Sequence, residues 1–212
     1  MATSVLIADD QRLIRAGLRM LCDAADDIVV IGEAADGAEA VRQGAELQPD
    51  VILMDLRMPG VDGIIAVRQV MAARATAKVL VLTTFDDDDH LYPALAAGAA
   101  GFLVKDTGPA ELLGAIRRIA AGDFVLSPHL LQRLVSRAVE AGAPQDTLAA
   151  NPLTAREHDV LRLVVQGLSN QDIADSLHLG VTTVKTHVSN AAAKLGARNR
   201  VQLAVYGYQL MA

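Results

Sequence analysis

The sequence predicts an α/β fold for the first part of the chain, a doubly wound five-stranded parallel sheet, followed by a second, smaller all-α domain. Two observations support this division. Short apolar, β-branched runs alternate with helical patterns through about the first 120 residues. Such runs are typical of parallel strands, because helices cover both faces of the sheet. Beyond residue 152 the apolar residues recur at helical spacing instead.

Each predicted strand of the first part is followed by a predicted helix. Parallel strands need crossover connections, so five such units imply helices on both faces of the sheet. Pro109 suits the first turn of a helix. We predict strands near 4–8, 28–32, 51–54, 79–83 and 100–104, and helices near 11–24, 36–47, 62–74, 88–98 and 109–121. This domain is assigned residues 1–121, and a linker with a helix over about 127–140 is assigned residues 122–151.

The second domain, assigned residues 152–212, has clearly marked helix starts. Thr154 with Glu157, and Ser169 with Asp172, have the spacing of capping boxes, in which two side chains satisfy unpaired backbone amides. A short glycine-containing turn separates the helix after Ser169 from a helix over 181–195, and this pair predicts a helix-turn-helix. A fourth helix over about 200–210 closes the domain.

Composition limits the class of protein. The chain has 212 residues, of which 52% are hydrophobic but only 3% aromatic, so aliphatic side chains must fill its core. Cys22 is the single cysteine, which excludes an internal disulfide and fits a reducing compartment. The sequence shows neither a signal peptide nor an apolar run of membrane-spanning length. We therefore expect a cytoplasmic protein without a membrane partner.

The net charge of -6 is unevenly distributed. Residues 151–212 contain six lysines and arginines and four acids, which gives +2 and leaves -8 for residues 1–150. An acidic module joined to a mildly basic one suits a cation site in the first and a polyanionic partner in the second. Because +2 is a small excess, the expectation of nucleic-acid binding depends on the helix-turn-helix pattern.

Polar residues follow the predicted strands where their carboxyl ends meet. Asp9 and Asp10 follow the first strand, Asp55 the third, Thr83 ends the fourth and Lys105 follows the fifth. Open α/β sheets place their ligands at this edge. Three carboxylates, a hydroxyl and an ammonium group there predict a site for a divalent cation and a phosphoryl group.

These residues give the first domain its family resemblance. Residues 1 to about 120 resemble the flavodoxin-like receiver domain of bacterial two-component response regulators, and residues from about 152 resemble the helix-turn-helix domain of the NarL/FixJ (LuxR-type) class. Asp55, in the segment LMDLRMPG, matches the phosphoacceptor. Asp9 and Asp10 match the acidic pair that helps to bind magnesium. The remaining matches are Thr83 as the switch hydroxyl, Lys105 as the phosphate-pairing lysine and Phe102 as the switch aromatic.

The resemblance implies a transcription regulator controlled by Mg²⁺-dependent phosphorylation of Asp55 by a sensor histidine kinase. Phosphorylation would promote homodimerisation and sequence-specific binding to double-stranded DNA, with RNA polymerase a further candidate partner. Asp10 and Asp55 are expected to bind the metal directly, Asp9 through water and Arg57 through its backbone carbonyl. Thr83 would then bond the phosphoryl group and Phe102 would fill the space it leaves. We expect no enzymatic turnover beyond slow autodephosphorylation.

The helix over 181–195 has two contrasting faces. Its apolar stripe, Val184, Val188, Ala191 and Leu195, should face the core of the domain. The opposite side predicts DNA contacts from Thr182, Lys185, Thr186 and Ser189. Lys185 could read a guanine edge or bind a phosphate, and the sequence leaves both open. On the last helix, Val201, Val205 and Tyr208 are predicted to form a dimer contact.

The second domain departs from its family at two places. Ala191-Ala192-Ala193 stands where the family has at least one large aliphatic residue, and Gly180 replaces the usual helix cap. Since losing a leucine-sized side chain from a core costs a few kcal/mol, we expect a less stable domain or a different packing.

Two other functions were weighed against the regulator. Haloacid-dehalogenase phosphatases also form an aspartyl phosphate, but their second aspartate lies two residues after the first, where this chain has Arg57. Regulators that sense small molecules have an aromatic-lined ligand domain, which three Phe, three Tyr and no Trp make improbable. Mass spectrometry after incubation with acetyl phosphate and Mg²⁺ separates these options, since a stable adduct indicates a receiver and turnover an enzyme.

Overall fold

The structure is a computed structural model that describes residues 2–74, 77–83, 93–95, 97–126, 153–197 and 200–211. The chain divides into two compact units, residues 1–125 and 126–212. The predicted linker helix and most of the helix predicted over 88–98 lie outside the described residues, although residues 93–95 are helical.

The first unit contains the predicted parallel sheet. Its strands are β1 (Thr3–Ala8), β2 (Ile28–Ala34), β3 (Val51–Asp55), β4 (Val79–Thr83) and β5 (Gly101–Val104), in the spatial order β2-β1-β3-β4-β5. The described helices are α1 (Arg12–Asp23), α2 (Gly37–Leu47), α3 (Gly63–Ala73) and α4 (Pro109–Ala120). Strands β3 and β4 are buried along their whole length, as their unbroken apolar runs predict.

One strand extends beyond its predicted end. The strand predicted near 28–32 continues to Ala34, past the charged side chain of Glu33. Parallel pairing nevertheless continues, with Ile7 opposite Glu33 and Ala8 opposite Ala34. Side-chain partners described below compensate the charge of Glu33. Past α4, Val125 also joins this unit, since its backbone bonds Ala100 and Phe102 and its side chain is buried.

The described residues of the second unit form helices joined by short turns. Its helices are α5 (Ala155–Val165), α6 (Asn170–Leu177), α7 (Val181–Leu195) and α8 (Arg200–Met211). Both predicted capping boxes are present, at Thr154 with Glu157 and at Ser169 with Asp172. Gly180 begins α7 without a side-chain cap.

The core of this unit accommodates the alanine run of α7. Ala191 is fully buried, whereas Ala192 is half-buried and Ala193 is exposed. Helix α8 approaches α5 closely at Gly207, where an added Cβ would lie 2.7 Å from a methyl carbon of Leu161. This close approach packs α8 against α5, and Val184 and Leu195 supply larger buried side chains on α7 beside Ala191. The lower stability expected of the domain stays a prediction.

Candidate functional site

Strand register brings the predicted polar residues of the first unit to one edge of the sheet. Ala8 of β1 lies opposite Met54 of β3, and Thr83 of β4 lies opposite Val104 of β5. The residues that end or follow these strands therefore lie side by side at their carboxyl ends. Open α/β folds place their ligands at this edge, beyond the carboxyl ends of the strands.

Lys105 joins the acids of this edge. Its Nζ lies 2.6 Å from Oδ2 of Asp9 and 3.0 Å from Oδ2 of Asp55. Asp55, the last residue of β3, is 4% exposed, and Asp9 is also buried. Oxygens of Asp9, Asp10 and Asp55 lie within 4.8 Å of one another, with Asp10 exposed to solvent. Carboxylate oxygens grouped in this way are the ligands that Mg²⁺ prefers.

The two oxygens of Asp9 both accept hydrogen bonds within the described structure. The backbone amide of Gln11 donates to Oδ1 at 2.8 Å, while Lys105 donates to Oδ2. Asp55 accepts bonds as well, from Lys105 and from the backbone amide of Arg57, so hydrogen bonding does not distinguish these carboxylates as metal ligands. That Asp10 and Asp55 bind the metal directly and Asp9 through water stays a prediction.

Burial and charge act against each other at this site. Burial raises the pKa of Asp55, because it disfavours the charged form, and the neighbouring ammonium group of Lys105 offsets this rise only in part. For Lys105 burial acts to lower the pKa, but hydrogen bonds to Asp9 and Asp55 outweigh it and the pKa is raised. The lysine is thus held as a cation by the two acids that it joins.

The switch residues predicted from the resemblance also lie at or beside this edge. Thr83 is 2% exposed, and its backbone carbonyl accepts a bond from the amide of Lys105 at 2.6 Å. Phe102 is buried in β5. Arg57 follows β3 with an exposed side chain, in the loop where its backbone carbonyl is expected to act. All three residues thus lie at or beside the acidic edge of the sheet, while their roles in switching and metal binding stay predictions.

Gly63, which the sequence reasoning missed, supports the loop after β3. An added Cβ at Gly63 would lie 2.2 Å from the backbone oxygen of Asp55 and 2.6 Å from Cα of Leu56. Its amide donates to the oxygen of Leu56 at 3.0 Å, and Asp62 caps the helix by accepting from Ile64. Only a residue without a side chain fits here. An aspartate cap followed by glycine is the sequence signal that could have indicated this contact.

The helix α7 presents the predicted polar surface in the second unit. Thr182, Thr186 and Ser189 are exposed and Lys185 is half-buried, whereas Val184, Ala191 and Leu195 are buried on the other side. The hydroxyl of Thr186 donates to the backbone oxygen of Thr182 at 3.0 Å. Val188 is half-buried and packs against the core. The separation of the two faces agrees with the sequence-based reading of this helix.

Three basic residues counted toward the charge of this unit are engaged within it. Lys194 donates to the buried carboxylate of Glu157 at 2.7 Å, and Arg156 bonds the backbone oxygen of Leu177. Arg200 bonds Asn170 and the backbone oxygen of Leu168. These three side chains connect different segments of the unit, which the net charge of the sequence could not show. The DNA contacts predicted for the unit stay those on α7.

The predicted dimer contact on α8 needs a correction. Val205 is 5% exposed and belongs to the core of its own unit, so it is not available at a surface. The helix packs against α5, and this packing takes Val205 inward. Tyr208 is 43% exposed and remains the candidate for a contact, while the side chain of Val201 lies outside the described residues.

No helix among the described residues is both long and apolar enough to cross a bilayer.

Two family models match the chain. Residues 5–117 match the response regulator receiver domain, and residues 151–207 match the bacterial regulatory proteins of the luxR family. The first match covers the sheet and its acidic edge, and the second covers all of the helix-turn-helix.

Relatives and solved structures match over almost the whole chain. The transcriptional regulatory protein LiaR of Bacillus subtilis (strain 168) is 42% identical over 205 residues, which are 97% of this chain and 96% of LiaR. The response regulator protein VraR of Staphylococcus aureus (strain Mu3 / ATCC 700698) is 37% identical over 99% of this chain and 98% of VraR. The crystal structure of ChrA, the response regulator of a heme-sensing two-component system, is 35% identical, covers 99% of this chain and 98% of its own, and gives a TM-score of 0.55.

The fold, the acidic edge, the helix-turn-helix and these matches agree with one another. The chain has a receiver domain and a LuxR-type DNA-binding domain, and its relatives regulate transcription. It belongs to the bacterial two-component response regulators of the NarL/FixJ class.

Proposed function

We propose that Asp55 is the phosphoacceptor of this regulator and that its phosphorylation, assisted by Mg²⁺, controls dimerisation and DNA binding. The observation that carries the proposal is the shared position of Asp55, Asp9 and Lys105 at the carboxyl edge of the sheet. Asp55 has a lysine 3.0 Å away and two further carboxylates within reach. Perturbed titratable groups that converge in this way are typical of functional sites.

The donor set fits Mg²⁺. Asp10 and Asp55 would bind it directly, Asp9 through water and Arg57 through its backbone carbonyl. When bound, the cation neutralises phosphoryl oxygens and so permits a carboxylate to approach them. Oxygens of all three carboxylates lie within 4.8 Å of one another, which supports a single cation held among them.

Phosphotransfer would proceed by attack of an Asp55 oxygen on the phosphorus of a phosphohistidine on the sensor kinase. The new oxygen–phosphorus bond gives an acyl phosphate, and the phosphorus–nitrogen bond breaks with its electron pair on the imidazole, which takes up a proton. Lys105 would leave Asp9 and pair with a phosphoryl oxygen. The product adds about two negative charges and three acceptor oxygens at the edge.

The added charge would be transmitted through Thr83 and Phe102. Thr83 rotates to bond a phosphoryl oxygen, and Phe102 moves into the space that it leaves, which changes the surface beside β5. This surface then promotes a homodimer. Two DNA-binding domains on adjacent half-sites combine their contacts, with Thr182, Lys185, Thr186 and Ser189 in the major groove. RNA polymerase is a candidate partner of the bound dimer.

The protein accepts and slowly loses a phosphoryl group and performs no other turnover. The acids and the lysine at the edge of the sheet would explain acceptance of the group. The accepted group would persist long enough to change the oligomeric state.

A labelling experiment tests the proposal. Asp55→Asn is nearly isosteric, so it should keep the fold and abolish the adduct formed with acetyl phosphate and Mg²⁺, as measured by intact-protein mass spectrometry. Asp106→Asn is the matched control, because this neighbouring aspartate is exposed and lies outside the acidic cluster. Full labelling of the Asp55 variant would place the phosphoacceptor elsewhere.

A further inference from the structure

One arginine of α1 contacts the backbone of the loop that carries the acidic pair. Nη1 of Arg15 donates to the backbone oxygen of Asp9 at 2.7 Å and reaches that of Asp10 at 3.3 Å. These are carbonyl groups in the two residues after β1, and their side chains point to the candidate cation site. The side chain of Arg15 is only 15% exposed, so solvent competes weakly for these bonds.

The other side of the guanidinium is attached to the sheet. Nε of Arg15 donates to Oε2 of Glu33 at 3.4 Å, and Glu33 lies opposite Ile7 in the pairing of β2 with β1. Arg19 pairs with the second oxygen of Glu33. Hydrogen bonds from Arg19 and Arg15 lower the pKa of Glu33, which keeps it ionised as a partner for both.

We propose that Arg15 is a positioning residue for the cation site, and this inference rests on the proposed Mg²⁺-dependent function. Its planar guanidinium spans from Glu33 to the two carbonyl groups, and so fixes the loop backbone from which the Asp9 and Asp10 carboxylates extend. Mg²⁺ demands nearly ideal octahedral geometry, so its affinity depends on how closely the ligands are held in place. Groups that orient metal ligands contribute strongly to metal affinity although they do not touch the metal.

Two effects of Arg15 on Mg²⁺ oppose each other. As a cation near the site it repels Mg²⁺, whereas as a forked donor it orders the ligands. Substitution by lysine separates them, because lysine keeps the charge but lacks the planar fork, whose separate nitrogen atoms hold Glu33 and the two carbonyl groups. If charge alone mattered, Arg15→Lys would bind Mg²⁺ like the parent. If positioning matters, its affinity falls.

Arg19 provides the matched control. It shares Glu33 with Arg15, lies one helical turn further along α1, and has no bond to the loop among those described. Arg19→Lys therefore makes the same chemical change on the same helix face without touching the loop. Glu33→Gln is a second test of the same attachment, since it weakens the anchor of Arg15 and leaves both carbonyl bonds in place.

The experiment is a titration of the full-length ¹⁵N-labelled protein with MgCl₂, followed by amide chemical shifts, with thermal unfolding measured in parallel. We expect Arg15→Lys to weaken Mg²⁺ binding about tenfold, Glu33→Gln to weaken it less, and Arg19→Lys to leave it unchanged. Initial labelling by acetyl phosphate should return to the parent rate in Arg15→Lys at saturating MgCl₂, because the defect lies in metal binding. If Arg15→Lys does not fold, Glu33→Gln decides the question by the same titration.

Different results separate this inference from the function on which it rests. Absence of Mg²⁺ binding in the parent would overturn the proposed function. Parent binding with equal affinity in Arg15→Lys and Glu33→Gln would overturn the positioning role alone. Equal weakening in Arg15→Lys and Arg19→Lys would also overturn it, because the effect would then belong to α1 and not to the loop contacts.

Discussion

Replacing Gly63 with alanine should displace Asp55, the proposed phosphoacceptor. Gly63 is the first residue of α3 and packs against the backbone of Asp55 and Leu56. The substitution adds a single methyl group and changes no charge. Its effect therefore reports how tightly the structure holds the loop after β3.

The size of the effect follows from the contact distance. The new Cβ would lie 2.2 Å from the backbone oxygen of Asp55. Real Cβ contacts are not found below 3.0 Å, so the helix or the strand must move by about 0.8 Å. Overpacking of this kind costs about 1–3 kcal/mol of stability. A displacement near 1 Å at a reacting group can reduce a rate about 100-fold, so we expect a loss of about 10- to 100-fold in phosphotransfer.

Gly114→Ala is the matched control, because an added Cβ there meets nothing within 4 Å. It lies inside α4, where alanine should stabilise the helix by about 0.5–1 kcal/mol. Urea denaturation followed by circular dichroism measures stability, and the initial rate of labelling by acetyl phosphate measures the site. The reasoning is refuted if Gly63→Ala is as stable and as rapidly labelled as Gly114→Ala.

Three further predictions address the relay, the DNA surface and the stability of the second domain. Thr83→Ala should accept phosphate but couple it poorly to dimerisation, as light scattering measures; a normal phosphorylated dimer would exclude the hydroxyl as the relay. Lys185→Ala should weaken binding to all DNA if it contacts phosphate, or lose about 1–3 kcal/mol on a selected operator alone if it reads a base; gel shifts with unchanged affinity would contradict both. Glu157→Gln keeps the helix cap but loses the ion pair with Lys194. Because the side chain of Lys194 is 35% exposed, solvent screens this pair, and the substitution should destabilise by less than about 1 kcal/mol at neutral pH. The bond to Lys194, together with the helix cap, lowers the pKa of Glu157. The stability that the ionised carboxylate contributes is therefore present above the ordinary glutamate pKa and is lost as pH falls through the pKa of the folded state. A stability difference between variant and parent that persists in acid would contradict this ionic origin.

The features predicted correctly from the sequence are those with local signals. Unbroken apolar runs indicate β3 and β4, and residue types three apart indicate both capping boxes. The acidic edge follows from topology, since polar residues placed after parallel strands must meet. The helix-turn-helix could also be predicted from local signals, because its turn and both its helices lie within one short segment.

The features that were missed join residues far apart in the chain. Lys194 and Glu157 are separated by 37 positions, and no pattern near either residue indicates the other. The arginine that bonds the loop after β1 is anchored by Glu33, which lies beyond the predicted end of β2. Val205 shares its helical stripe with the exposed Tyr208, and only the packing of α8 shows that Val205 is buried. Such contacts depend on crossing angles and side-chain reach, which periodicity does not specify.

A comparison of the two buried lysine–carboxylate contacts separates structure from function. Glu157 has one lysine and the backbone amide of its own helix cap, so its charge is satisfied locally. At the receiver edge Lys105 contacts Asp9 and Asp55, and Asp10 lies in the same cluster, so these four side chains carry a net charge of -2 when all are ionised. Two like charges about 4 Å apart repel by roughly 4 kcal/mol at an effective dielectric constant of 20. The proposed Mg²⁺ would offset this charge, whereas the carboxylate at the helix cap already has its own lysine.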